Sequence, residues 1–96
     1  MVTASRRPPA SGALRLARQA WRLLHVDSRR AIDCADNALA RAQALGDSHA
    51  EGWARLSRGF HLQYFDTPGA AEPELEQARV CFDRVGDRAG RLIAAT

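Results

Sequence analysis

Apolar residues recur along this chain with the spacing of an amphipathic α-helix in five successive segments. In the first segment, Ala13 to His25, apolar side chains cover about half of the helix circumference, which predicts contact with more than one neighbour. The other segments are Ser28 to Leu45, about His49 to Phe65, Ala70 or Glu72 to Val85, and Ala89 to Ala95. The pattern therefore predicts an all-α fold.

Short polar stretches separate these segments and carry residues that start and stop helices. Asp27 and Ser28 stand at the start of the second helix and offer side-chain oxygens to cap its first turn. Gly46 follows that helix and can adopt the positive φ that ends it, and Asp47 or Ser48 caps the next one. The same stop and cap recur once more, near the end of the chain.

The third and fourth helices carry further packing signals. Gly52 and Gly59 lie beside the apolar stripe of the third helix, which predicts close approach by a neighbouring helix. Pro73 is expected in the first turn of the fourth helix, where its missing N–H is harmless. Leu45 and Val85 are expected to complete the apolar faces of the second and fourth helices. Core packing is predicted for the large aromatic residues, which are Trp21, Trp53, Phe60, Tyr64 and Phe82.

The second half of the chain repeats the first. At a spacing of about 40 residues, Ala31, Ala38, Gly46, Asp47 and Ala54 align with Ala71, Ala78, Gly86, Asp87 and Ala94. For the preceding helices a slightly shorter spacing aligns Leu14, Trp21, Leu23 and Asp27 with Trp53, Phe60, Leu62 and Asp66. A repeated helix hairpin cannot bury its apolar face alone, so copies are expected to stack.

We therefore expect antiparallel helix hairpins stacked as a short solenoid of about five helices, the last one incomplete. The repeat units fall at about 13–46 and 47–86, with a partial unit at 87–96. A disordered basic leader is expected over residues 1–12, which include two adjacent prolines and two arginines.

Charge is distributed unevenly along the chain. All 14 basic residues are arginine, and residues 1–30 hold seven of them against one acid, a local charge of +6. The remaining residues hold seven arginines against ten acids, a local charge of −3. This asymmetry is typical of a nucleic-acid-binding arm and equally of a solvated helix face with a basic tail. The residues that would bind a nucleic-acid backbone are Arg6, Arg7, Arg15, Arg18 and Arg22.

No catalytic motif is present in the sequence: it has no HExxH, P-loop, GxGxxG or GxSxG. The chain is therefore expected to be non-catalytic and to need neither a cofactor nor a metal. Cys34 and Cys81 lie far apart in the sequence without a CxxC motif, which favours reduced thiols in a cytoplasmic protein. No segment has the length of a membrane span or the apolar core of a signal peptide.

The third and fourth helices carry a characteristic spacing of large and small residues. On the third helix these residues are Trp53, Leu56, Ser57 and Phe60, and on the fourth they are Ala71, Leu75 and Ala78. This spacing resembles the tetratricopeptide repeat family, although the period of this chain is longer than the one typical of that family. The resemblance implies a protein–protein interaction module whose first helices line a concave surface.

The amino-acid sequence around the turns carries a narrower resemblance. The strings A-x-x-x-A-x-x-L-G-D, x-x-E-G-W-A-R-L and F-D-R-V-G-D-R-A-G resemble the amino-terminal helical-repeat regions of bacterial GGDEF-type diguanylate cyclases. Related arrays precede adenylate cyclases and LuxR-type regulators. The resemblance implies a sensory or regulatory module, the N-terminal fragment of a signalling protein, and the GGDEF motif itself is absent here.

Two groups of residues are candidate interaction sites. The first is a polar strip along the predicted concave surface, formed by Arg15, Arg18, Arg22, Arg58 and His61. Guanidinium groups pair with carboxylates and phosphates, so an acidic protein or peptide partner is expected, with a plain solvated face as the alternative. The second group is Leu92 and Ile93 on the fifth helix. Their apolar side chains are expected to be exposed, and burial of these side chains in an interface between two copies suggests a homodimer.

Overall fold

The structure is a computed structural model that describes residues 12–65 and 68–95. The described residues form five α-helices joined by short turns, and no strand occurs among them. The helices are α1 (Gly12–Leu23), α2 (Ser28–Leu45), α3 (Ser48–Phe65), α4 (Pro68–Val85) and α5 (Arg88–Ala95). The predicted all-α fold is therefore confirmed. Of the expected leader over residues 1–12, all but Gly12 lies outside the described residues.

The Gly-Asp turn has the same geometry in both copies. Gly46 and Gly86 adopt left-handed backbone conformations with φ of 67° and 74°. The amide of Asp47 donates to the carbonyl of Ala42 at 2.9 Å, and the equivalent bond one repeat later measures 3.0 Å. This six-to-one hydrogen bond closes the end of the helix, and glycine adopts the required φ without a Cβ penalty.

Aspartate side chains cap three of the five described helices. Asp27, Asp47 and Asp87 each accept the backbone N–H three residues further on, at 3.2, 3.0 and 2.9 Å. The short polar side chain satisfies an amide that has no partner inside the helix. The caps predicted from the sequence are confirmed, with Asp47 rather than Ser48 capping α3.

Helix α4 begins earlier than the sequence pattern predicts. It starts at Pro68, so Pro73 is the sixth residue of the helix and lies beyond the first turn. The placement of Pro73 in the first turn was wrong. A proline at the first helical position has a suitable φ, whereas Pro73 lacks the amide that would donate to the Gly69 carbonyl, and a proline ring also crowds that carbonyl.

The helices pack as neighbouring hairpins. Helix α1 contacts α2 and α3, helix α3 contacts each of the other four, and α4 contacts α5. No Cα atom of α1 or α2 lies within 8 Å of a Cα atom of α4 among the described residues. A closed bundle would bring α1 and α4 together, so the described helices form an open arrangement of antiparallel hairpins.

Glycines allow the hairpins to approach closely. A Cβ atom added at Gly52 would lie 2.9 Å from the ring of Phe82, and one at Gly59 would lie 2.6 Å from Leu75. The close approach predicted for these two glycines is confirmed. Gly90 has the same role on α5, because an added Cβ there would lie 2.6 Å from an atom of the Phe82 ring. The ring of Phe82 is thus clamped between α3 and α5.

A series of aromatic rings connects the hairpins. Trp21 contacts Trp53 and Phe60 edge-to-face, with ring centroids 5.9 and 5.1 Å apart, and Trp53 contacts Phe82 at 5.5 Å. Phe82 is fully buried, and the other three rings pack partly buried against the core. The predicted core role is confirmed for these four residues.

Three residues predicted on apolar faces are exposed instead. Tyr64 is 59% exposed, Leu45 is 68% exposed and Val85 is 41% exposed. All three lie in the last turn of a helix, beyond the part of that helix that a neighbouring helix covers. Helical periodicity predicts which face of a helix is buried. It does not predict how much of the length of that helix packs against a neighbour.

Candidate functional site

One outer edge of the arrangement is a row of arginines on α1. Arg15, Arg18 and Arg22 are all exposed and recur at helical spacing, and we call them the N-terminal edge. Among the sequence-predicted site residues, these three lie together as expected. By the spacing that aligns α1 with α3, their counterparts on α3 are Ala54, Ser57 and His61.

The counterparts on α3 show what this face does inside the array. Ala54 is fully buried in a cluster with Ala17 and Ala38 of the first hairpin. Ser57 is also fully buried, and its hydroxyl donates to the carbonyl of Trp53 at 3.1 Å. On α3 this face therefore packs on the preceding hairpin, and on α1 the same face carries exposed guanidinium groups.

Arg58 and His61 lie in a different place from the arginines of α1. They line a recess of about 220 Å³ together with Ile32 and Asp36 of α2. Arg58 bridges two helices, with Nη1 3.1 Å from an Asp36 carboxylate oxygen and Nη2 3.2 Å from a Glu74 oxygen. The α1 arginines do not line this recess, so the structure does not bring the five residues of the predicted strip into one site.

The opposite outer edge is a groove between α4 and α5. It encloses about 510 Å³ and is lined on the α5 side by Arg88, Arg91, Leu92 and Ala95. Leu92 is 72% exposed. Arg91 Nε donates to an Asp83 carboxylate oxygen at 3.1 Å across the groove. We call Arg88, Leu92 and Ala95 the C-terminal edge.

Leu92 and Ile93, which the sequence grouped as one exposed edge, lie on different sides of α5. Leu92 faces the groove, whereas Ile93 is partly buried against the cluster that contains Leu56 and Phe82. A helix turns by about 100° per residue, which separates adjacent side chains. Only Leu92 of the pair is therefore an exposed apolar residue.

A polar contact ties α5 to α3. The Nε2 atom of His49 lies 2.8 Å from Asp87 Oδ2, while Oδ1 of the same carboxylate caps α5. Burial is the largest influence on Asp87 and favours the neutral acid. The Gly90 amide and His49 outweigh it and, with the nearby indole of Trp53, hold the pKa of Asp87 below its ordinary value. The Trp53 Nε1–H is buried and falls short of hydrogen-bond geometry.

A second polar contact ties α5 to α4. Arg79 Nη1 donates to the carbonyl of Ala94 at 2.8 Å, near the last turn of α5. Hydrogen bonds to Glu76 and then Glu72 keep the pKa of Arg79 above its ordinary value, so the guanidinium stays charged. Helix α5 is thus fixed at its first turn by Asp87 and at its last turn by Arg79. Neither tie was predicted, because each depends on the register between helices.

The remaining chemistry-bearing groups of the described chain are dispersed. No cluster of three His, Cys, Asp or Glu residues that could hold a metal ion occurs among the described residues. Cys34 and Cys81 are free thiols, and burial raises the pKa of Cys81 above its ordinary value. Within the part of the chain that the structure describes, no helix is both long and apolar enough to cross a membrane.

Comparison with known proteins gives no match: no protein-family model, no curated protein and no solved structure matches this chain. The resemblances to tetratricopeptide repeats and to GGDEF-type regulatory regions therefore rest on the residues that carry them.

Proposed function

We propose that this chain is a non-catalytic protein–protein interaction module. The observation that carries this proposal is the open arrangement of the hairpins, in which no described Cα atom of α1 lies within 8 Å of one of α4. This arrangement leaves two differing outer edges, one of charged side chains and one with the exposed Leu92 in a groove. Helical-repeat proteins use such extended surfaces to bind partners.

The proposed mechanism is recognition followed by relay through α5. Asp87 and Arg79 hold the two ends of α5 against α3 and α4. A partner that contacts and shifts α5 would therefore also shift α3 and α4, to which α5 is hydrogen-bonded. Because packed helices shift as discrete bodies, docking at this edge would change the orientation of whatever α5 is attached to.

We further propose that the module regulates a bacterial signalling protein in the cytoplasm. The resemblance of its turns to the repeat regions of diguanylate cyclases supports this, and adenylate cyclases and LuxR-type regulators are the related alternatives. The two free cysteines suit a reducing compartment. Reading the gene beyond codon 96 tests the assignment: an in-frame GGDEF domain supports it, and an unrelated enzyme domain or a stop codon contradicts it.

Selection of displayed random peptides against the folded chain tests the interaction function. We expect enriched peptides whose binding is lost when an exposed residue of one edge or of the recess is reversed in charge. The matched control is the same change at an exposed site away from the two edges and the recess, such as Arg41→Glu on α2, which should leave binding unchanged. Failure to enrich any peptide would contradict the proposal.

A second candidate function is nucleic-acid binding, favoured by the exposed arginine row of the N-terminal edge. Arg29 and Arg30 at the start of α2 are also exposed. Guanidinium groups that contact phosphates release counterions, so duplex DNA affinity would fall steeply with salt. Replacing Arg15, Arg18 and Arg22 by Gln should then remove binding, and no measurable affinity of the original chain at low salt would eliminate this candidate. Arg6 and Arg7, also expected to contribute, lie outside the described residues.

A further inference from the structure

We propose that the recess between α2 and α3 binds a lysine side chain of a partner protein, with the ammonium on Asp36 and the aliphatic stem on Ile32 and Leu62. This inference rests on the proposed interaction function and names one site and one partner residue for it. The recess lies where the two hairpins meet, and its walls belong to helices in the middle of the chain.

The size and the walls of the recess suit one extended side chain. Its volume is about 220 Å³, and Ile32 of α2 and Leu62 of α3, both partly buried, contribute its apolar surface. Pockets that take a whole drug-sized ligand begin at about 300 Å³. A lysine packs its methylene groups on apolar surface of this kind while its ammonium reaches a polar group.

The charged groups around the recess favour a cation. The guanidinium of Arg58 is held by two carboxylates, with Nη1 3.1 Å from Asp36 Oδ1 and Nη2 3.2 Å from Glu74 Oε2. One guanidinium and two carboxylates leave a formal charge of −1. Asp33, one turn before Asp36 on α2, is exposed and makes no ion pair within the described residues. The recess is therefore bordered by excess negative charge.

The neighbouring cations do not cancel this charge. Arg55 also contacts Glu74, at 3.1 Å, but it is paired with Glu51 at 2.8 Å. Arg29 is exposed and lies two turns from Asp36 along α2, about 10 Å, where salt screens most of its charge. An acidic partner group would reach Arg58 only in competition with the two carboxylates that already hold it.

The geometry of Asp36 selects lysine over arginine. Its side chain is 56% exposed, Oδ1 is held by Arg58, and Oδ2 has no hydrogen-bond partner among the described residues. A guanidinium binds most strongly to both oxygens of a carboxylate, whereas an ammonium is a compact charge that needs only one. None of the 96 residues is lysine, so no side chain of these residues can supply the ammonium.

The test is a nuclear magnetic resonance titration of the full chain with capped amino acids. The probe is N-acetyl-lysine methylamide, and the matched neutral probe is N-acetyl-norleucine methylamide, which has the aliphatic stem without the ammonium. We expect saturable shifts of the Ile32 and Leu62 methyl signals with a Kd on the order of 1 mM for the lysine probe. The norleucine probe should bind about fivefold more weakly, because it loses an ion pair of surface strength. The equivalent arginine probe should also bind more weakly than the lysine probe.

Two variants separate this site from a general attraction of cations to the surface. Asp36→Asn removes the carboxylate and should weaken binding of the lysine probe about fivefold. Asp83→Asn is the matched control, because the Asp83 side chain is 63% exposed and also pairs with one arginine, Arg91, at 3.1 Å. This control should leave the affinity unchanged, and circular dichroism checks that both variants remain helical.

Equal affinities of the lysine and norleucine probes would overturn the proposal, as would an Asp36→Asn chain that binds the lysine probe as tightly as the original chain. An arginine probe that binds as tightly as the lysine probe would overturn the choice of lysine. Tighter binding of leucine methylamide, whose ammonium is on its α-carbon, would assign the recess to a peptide amino terminus. Tighter binding of 1,5-diaminopentane would assign it to a free amine, and both results would overturn the proposal.

The display selection and this titration can fail independently. Peptides that the selection enriches on other surfaces would stand even if the lysine probe does not bind the recess. A failed recess and a failed interaction function are therefore distinguishable.

Discussion

The two outer edges of this molecule differ in what a repeat unit presents to solvent. At the N-terminal edge, Arg15 stands where Ala54 is buried against a neighbouring hairpin. At the C-terminal edge, Leu92 stands where Gly52 is covered by α4. A row of guanidinium groups is costly to desolvate and therefore disfavours the stacking of an apolar surface on it. An exposed leucine beside a groove carries no such penalty, so the two edges differ in whether a further helix can be added.

Placing an arginine of the N-terminal edge at the equivalent buried position of α3 should have the largest effect on stability. Ala54→Arg copies Arg15 onto the equivalent position of α3, where an unpaired charge would be buried against α1 and α2. We expect a loss of about 3–5 kcal/mol of unfolding free energy, measured by urea denaturation followed by circular dichroism. Ala95→Arg, which copies Arg55 onto an exposed site, is the control and should change stability by less than about 0.5 kcal/mol. Similar losses for both variants would contradict the contrast between the buried face of α3 and the exposed C-terminal edge.

Removing the ring beneath the C-terminal edge should have the next largest effect. Phe82 is fully buried and lies against Gly52 and Gly90, so Phe82→Ala leaves a cavity between α3 and α5. The expected loss is about 3 kcal/mol of unfolding free energy in the same denaturation experiment. Amide hydrogen exchange should also show faster exchange in α5 than in α2. Unchanged protection of α5 would contradict the role given to this ring.

The local parts of this structure were predictable from the sequence, because caps and stops depend on neighbouring residues. Gly46, Gly86 and the aspartates that follow them determine the helix ends whatever lies around them. The close approach at Gly52 and Gly59 was also predictable. Glycine inside a helix lowers stability relative to alanine, so its presence indicates compensation by close packing. The start of α4 was missed: the proline rule places Pro73 in the first turn, whereas the helix begins at Pro68 and includes Pro73 as its sixth residue.

The candidate site was less predictable because it depends on register between helices. Arg58 was expected on a strip with the α1 arginines, yet it is held between Asp36 and Glu74 on two other helices. The contact between His49 and Asp87 joins residues 38 positions apart, and no local pattern indicates it. The repeat alignment contained one usable signal: it equates Leu92 with Gly52 and so identifies which face of α5 a helix would cover.

The cap of α5 should contribute to stability through two contacts, since Asp87 accepts from the Gly90 amide and also contacts His49. We expect Asp87→Ala to cost about 1–2 kcal/mol of unfolding free energy, by urea denaturation at neutral pH. The pKa of Asp87 is lowered in the folded chain, so its contribution is present above the ordinary carboxyl pKa of 3.8 and is lost as pH falls through the lower folded value. A difference between the original chain and Asp87→Asn that grows as pH falls through this range would have the wrong sign.

The smallest effect is expected at the C-terminal edge itself. Because Leu92 is 72% exposed, Leu92→Ser should change the unfolding free energy by less than about 0.5 kcal/mol. The matched change at a covered position, Leu75→Ser, should be far more damaging, since Leu75 is 6% exposed and sits over Gly59. A large loss of stability for Leu92→Ser would mean that this leucine already supports the core.

Whether the hairpins are stacked openly or closed into a bundle can be read from nuclear Overhauser contacts of the Ala17 methyl group in α1. The open arrangement predicts cross-peaks from Ala17 to the methyl groups of Ala38 in α2 and Ala54 in α3, with which it is buried. It predicts none to Leu75 or Ala78 of α4, because those two residues are buried in a separate cluster that does not contain Ala17. Cross-peaks from Ala17 to those α4 methyl groups would establish a closed bundle and contradict the equivalence of the two hairpins.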